Sequence, residues 1–155
     1  MHPNSQRVAE ALLAAGATGQ IRELPTPVRT AAAAAEQLGV QVGAIANSLI
    51  FDADGEPVLV LTSGAHRVDT ERVARLLGVD ELRRATPEFV RTATGQPIGG
   101  VAPVGHPGPL RTVVDTALAG YPQVWAAGGH PNTVFPTTFD ELMRITKGTP
   151  SDVAG

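Results

Sequence analysis

The sequence predicts a single α+β domain, a mixed β-sheet surrounded by about five helices. Three observations point there. Helix patterns that open on a capping residue and close on glycine alternate with short β-rich runs. Two such runs, about 45–51 and 57–62, flank Asp54-Gly55 and read as a hairpin. Both runs are nearly continuous apolar stretches, as expected of central strands covered on both faces.

The elements follow in order. Asn4 or Ser5 caps a first helix carrying Val8, Leu12 and Leu13 at helical spacing and ending near Gly16. Residues 19–25 read as a short strand stopped by the prolines of "PTP". Thr26 then caps a second helix, with Pro27 in its first turn, the alanine run 31–35 as its close-packing side and Gly39 as its stop. After the hairpin, Asp69 and Gly78 bound a third helix, and Thr86, Pro87 and Gly95 a fourth. Residues 110–115 and 123–128 are strand-like, and "TVFPTT" is an edge strand or strand end because of its proline. Thr138 and Glu141, in capping-box spacing, open a last helix that Gly148 stops. Residues 149–155 read as a loose tail.

Composition narrows the function classes. The 155 residues are 43% hydrophobic with mean hydropathy +0.04, ordinary for one globular domain. No apolar run approaches the roughly 20 residues that cross a bilayer. The segment "MHPNSQRVAEALLAAG" carries Arg and Glu inside its apolar pattern and lacks a basic stretch followed by an apolar core. That predicts no signal peptide and a cytoplasmic protein. With no cysteine, thiol catalysis, disulfides and Cys-type zinc sites are excluded. Net charge is −3 and Lys147 is the sole lysine, so a broad basic face for nucleic acid is not expected, although arginines can make smaller phosphate contacts.

The chemistry-bearing residues are sparse. The stretch 97–107, "PIGGVAPVGHP", is neither a Walker loop nor a dinucleotide fingerprint. It is either a structural crossover or a backbone-lined pocket in which glycine permits close approach to a ligand. His106 and His130 each stand between glycine and proline, on loop ends that read as exposed, and His66-Arg67 follows the second hairpin strand. His66 could meet a phosphate or carboxylate, or sit in a solvated turn. No HExxH or two-His helical pair occurs, and no metal site is expected. Asp115 ends a strand-like run, as a site carboxylate or a cap. Asn47, polar within "IANSLIF", requires a hydrogen-bond partner in the core or a pocket. No serine elbow or carboxylate pair is present.

Three stretches, "AIANSLIFDADGEPVLVLTSGAHRVD", "GQPIGGVAPVGHP" and "VWAAGGHPNTVFPTTFDELMRITKG", resemble in the same order the YbaK-like family, the aminoacyl-tRNA deacylases related to the editing domain of prolyl-tRNA synthetases. The resemblance runs over about residues 27–148, within one domain spanning 1–155. It implies a barrel-like mixed sheet and hydrolysis of the ester joining a wrong amino acid to the tRNA 3′-terminal adenosine. Editing of that kind answers the limit on size discrimination by a single pocket. The implied partners are aminoacyl-tRNA and, as a candidate, a synthetase; no cofactor is implied. The family's Gly-x-x-x-Pro loop falls on Gly99–Pro103, which makes Gly99, Gly100 and Pro103 the expected catalytic backbone, with Val101 and Ala102 beside the substrate. Water positioning and electrostatic stabilisation would carry the chemistry without a covalent intermediate. Asn47, Ser48, His66, Asp115, Gly128, Gly129 and His130 are the remaining expected substrate-binding residues.

One departure stands out. Where many members of the family have lysine before Ser/Thr-Leu, this chain has Asn47, which donates a hydrogen bond but brings no charge. The alternative reading is therefore a non-catalytic module binding an aminoacyl nucleotide or another small ligand. A third reading, metal-dependent hydrolysis through His66, His106 and His130, is the weakest.

Overall fold

Asp54 at φ 52° and Gly55 at φ 95° supply the left-handed pair that a two-residue hairpin turn requires. On either side, β2 (Ile45–Ala53) and β3 (Glu56–Ser63) pair antiparallel in unbroken register from Ala46–Ser63 to Ala53–Glu56. The computed structural model describes residues 1–154, and this hairpin is the centre of its fold.

The eight-stranded mixed sheet runs β1 (Arg22–Glu23), β7 (Thr133–Thr137), β6 (Val124–Ala127), β2, β3, β5 (Arg111–Asp115), β8 (Thr149–Ser151). A short β4 (Leu82–Arg84) pairs separately with the far end of β2. One consequence matters for the site. On the side of β2 away from β3, β6 pairs with Ile45 and Ala46, and β4 pairs with Phe51 to Ala53. Residues 47–50 have no strand beside them on that side.

Helices α1 (Pro3–Ala14), α2 (Ala31–Leu38), α3 (Thr70–Leu77), α4 (Pro87–Thr94) and α5 (Phe139–Thr146) complete the domain. Asp69, Thr86 and Thr138 cap α3, α4 and α5, each accepting the amide N–H three residues on. Elsewhere the caps differ from expectation. His2, not Asn4 or Ser5, caps α1, its Nδ1 accepting the Asn4 N–H at 3.0 Å with Pro3 in the first turn. Thr30, not Thr26, caps α2; Val28 N–H is tied to Pro131 O at 2.6 Å, so the chain stays non-helical through Pro27 and turns helical four residues later than predicted. Lys147 takes the left-handed position ending α5, rather than Gly148.

The sheet also differs at its ends. Residues 19–25 contribute only the two-residue β1, and β4 was not anticipated. β7 is second from the edge, its proline at position 136 lying beyond the β1 pairing at Thr133 and Val134. The supposed loose tail is held: β8 extends the sheet beside β5, and Val153 is fully buried against Val60, Val73 and Val113. The main core packs Leu59, Leu61, Phe135 and Leu142 against α1, α5 and the glycine–proline loop. A second cluster lies under α3 and a third under α2. No described helix is long and apolar enough to cross a membrane.

Candidate active site

The glycine–proline loop is held by side chains from within itself. Gln96, only 2% exposed, accepts the Ala102 N–H on Oε1 at 2.7 Å. Its Nε2 donates to Val104 O at 3.2 Å and Gly105 O at 3.4 Å. From the other side, His106 donates Nε2–H to Ala102 O at 2.8 Å, which places the neutral ring in its Nε2–H tautomer. Both polar groups of the Ala102 residue are therefore engaged, and Ala102 itself is fully buried. Burial pulls the His106 pKa below its ordinary value, although the bond to Ala102 O works the other way.

Two close approaches set the front of the loop. Gly99, at φ 87°, lies against the Arg29 stem: a Cβ there would meet Arg29 Cγ at 3.2 Å. Gly100 abuts the main chain of 130–131, and a Cβ would meet His130 C at 2.8 Å and Pro131 N at 2.9 Å. Gly100 has no room for a side chain, as expected where two backbones meet, and at Gly99 the positive φ itself disfavours one.

In front of the loop is a cavity of about 40 Å³, lined by β2, β6, β7, the start of α2, Gly99 and Val101. Neighbours in one strand, Ile45 to Ser48 and Trp125 to Ala127, all line it. Successive strand residues face opposite sides of a sheet, so the cavity sits at the strand edge, where β2 lacks a neighbour. Its walls are mostly small, with Ala31, Ala34, Ala46, Ala126 and Ala127 prominent. Arg29 is the one charged lining residue, and among the described residues no carboxylate pairs with it. The family model of the aminoacyl-tRNA editing domain matches residues 25–145, a span that contains this cavity and the whole loop.

The chain belongs to the aminoacyl-tRNA editing domain family.

Its relatives agree. This editing domain is 40% identical over 105 residues to the proline–tRNA ligase of Nitratidesulfovibrio vulgaris (strain DP4), covering 67% of this chain but only 18% of the ligase. It thus spans about a fifth of the length of that ligase. It is 32% identical to YwhH of Bacillus subtilis (strain 168), over 81% of this chain and 80% of YwhH. A crystal structure of a candidate trans-editing enzyme for prolyl tRNA synthetase superposes with TM-score 0.93 at 44% identity, over 100% of this chain and 99% of that one.

Within the editing domain the expected site residues separate into groups. Asn47, Ser48, Gly99 and Val101 line the cavity together. Gly100 and Ala102 are buried beside it. Pro103 lies behind the loop, in a separate cavity with His106 and Lys147. Gly128 and Gly129 pack on Thr133 and on Val8 and Asn4 of α1, where a Cβ would come within 2.9 Å of a neighbour in both cases. The His130 ring stacks on His2 with centroids 4.5 Å apart, so only its backbone reaches the loop.

His66 and Asp115 do not line the cavity. Asp115 is fully buried and accepts Ser63 N–H at 2.9 Å, Ala117 N–H at 3.0 Å and His66 Nδ1–H at 2.9 Å. It ties the ends of β3 and β5, a structural task that a strand-end carboxylate signalled equally well. His66, His106 and His130 have different partners, and among the described residues no group of His, Asp or Glu is placed to hold a metal ion. His106 is half-buried rather than exposed, because its ring turns inward to Ala102.

Twelve lining residues were not anticipated, Arg29, Thr30, Ala31, Ala34, Trp125 and Thr133 among them. Arg29 could have been suspected from its place in an extended segment beside a cap. Trp125 and Thr133 carried no local signal; only the pairing of β6 with β2 and β7 brings them in.

Proposed function

We propose that this editing domain hydrolyses the ester between a small amino acid and the terminal ribose of a mischarged tRNA, acting in trans. The supporting observation is the Ala102 residue, held on both sides, behind Gly99 and Val101, which line a small cavity whose hydroxyls have no histidine or carboxylate in the lining to activate them. A water oxygen attacks the ester carbonyl, the acyl–oxygen bond to the ribose breaks, and the water proton passes to the departing ribose oxygen. The products are a free amino acid and uncharged tRNA. Positioning in a fixed backbone frame supplies most of the acceleration.

The small volume of the cavity, about 40 Å³, sets a ceiling on side-chain size. Charge at the mouth comes from Arg29. Its stem lies beside Gly99 and the residue is exposed, so its guanidinium can meet a phosphate of the terminal nucleotide. The test is release of amino acid from a panel of mischarged tRNAs, alanyl- and cysteinyl-tRNA(Pro) included. No release above background from folded protein would sink the proposal.

Asn47 favours a second reading, a module that binds an aminoacyl nucleotide without cleaving it. Asn47→Lys separates the two. Hydrolysis seen only in the variant would make the natural protein a binder.

A further inference from the structure

Ser48 is the one residue of β2 at which three hydrogen-bonding groups lack protein partners. Its Oγ is buried with no partner among the described residues. Its backbone groups follow from the ladder. Gly64 N–H donates to Ile45 O at 2.9 Å, so odd-numbered residues of β2 turn their N–H and C=O toward β3. Even-numbered residues turn theirs to the other side. There Ala46 meets β6 and Asp52 meets β4, but Ser48 lies opposite neither. Buried polar groups are almost always satisfied, so a buried free Oγ beside two unpaired main-chain groups, on a cavity wall, is built for a ligand.

The geometry says which ligand. In an antiparallel pair, one residue exchanges both of its hydrogen bonds with the residue opposite, N–H to C=O and C=O to N–H. An α-aminoacyl group can do the same at Ser48, and a free amine, unlike an N-acylated one with its single N–H, keeps a further donor for the Oγ. Its ammonium donates to Ser48 O and its acyl oxygen accepts the Ser48 N–H, in the manner of a one-residue strand added to the gap. Ser48 Oγ supplies a second acceptor for the ammonium. Ser48 and Val101 also line a second cavity, of about 170 Å³, in common with Ile98 and Arg84. An acyl group held at Ser48 thus lies on the wall of the first cavity, with Arg29 at the same cavity.

We propose that Ser48 is the α-aminoacyl socket, reading the free amine through its main chain and hydroxyl. The proposal rests on the cavity being the aminoacyl site and adds a requirement: N-acylated substrates are rejected.

The probe is alanine joined by an amide to 3′-amino-3′-deoxyadenosine, which cannot be hydrolysed as an ester, beside its N-acetyl form. Titration into the full chain is followed by backbone NMR and amide hydrogen exchange. The free Ser48 amide exchanges faster than those of Asn47 and Leu49. The unacetylated probe slows it about tenfold or more and binds about tenfold more tightly than the N-acetyl form. Ser48→Ala weakens binding, and Ser48→Thr, which keeps the hydroxyl, restores most of it. Equal affinity for both probes, no binding of either, or binding that leaves the Ser48 amide unprotected overturns the socket. Protection at Ser48 without hydrolysis of the matching ester supports the socket while defeating the deacylase reading.

Discussion

Gln96 and Ala102 are joined at 2.7 Å through a side chain buried as deeply as the core leucines, so the loop's central amide is held by a residue six positions earlier. Gln96→Leu removes the acceptor and leaves the Ala102 N–H buried and unpaired. That costs about 1–3 kcal/mol in urea unfolding. Hydrolysis per folded molecule falls further than stability does, because the same bond aims the backbone behind Gly99 and Val101. Gln96→Glu keeps the acceptor but loses the donor to Val104 and Gly105, and falls between the two.

His106 makes stability depend on pH with a definite sign. Its folded pKa lies below the ordinary 6.5 because burial penalises the charged ring, so the unfolded chain binds the proton more tightly. Stability is therefore full above the ordinary value. It declines as pH falls through that range toward the folded pKa, and levels off below it. Unfolding free energies of wild type and His106→Gln, compared from pH 7.5 downward, show the decline in wild type only; parallel curves would assign it elsewhere.

Gly100→Ala pushes a Cβ to 2.8 Å from the backbone carbon of His130. Neither backbone can yield cheaply, so the loop and the 130–131 segment separate. The expected results are a melting temperature several degrees lower, for a loss of about 1–3 kcal/mol, and hydrolysis reduced at least tenfold. Gly108→Ala, with open space at its Cβ, is the silent control.

Asp115→Ala behaves oppositely. It strips the acceptor from Ser63, Ala117 and His66 in a fully buried position, at a cost of about 3 kcal/mol or more. Activity per folded molecule at low temperature stays near wild type, since the pair lies outside the cavity. A selective rise in KM with unchanged stability would return Asp115 to the substrate site.

How much of this was legible in the sequence follows from range. The hairpin at Asp54-Gly55 and the caps Asp69, Thr86 and Thr138 are local signals, and the structure realises each of them. His2 escaped because imidazole is an uncommon cap, and Thr26 misled because Val28 N–H is taken by the carbonyl of Pro131, a residue from the other half of the chain. Residues 149–151 look like tail, yet pair with β5, and nothing in "TPSDVAG" announces that Val153 finds a pocket. The site divides the same way. The loop and Asn47-Ser48 were visible as motifs, whereas Arg29, Trp125 and Thr133 join them only through strand order. The unpaired edge at 47–50 is a property of the whole sheet.

The most direct test of the account is the deacylation rate of alanyl-tRNA(Pro) with wild type, Arg29→Ala, and Arg29→Ala carrying Asn47→Lys. Wild type is expected to hydrolyse it, Arg29→Ala to lose about tenfold or more, and the added Asn47→Lys to restore part of the loss by supplying charge at the same cavity. Wild-type protein that is folded yet releases no alanine, or an Arg29→Ala variant as active as wild type, contradicts the account.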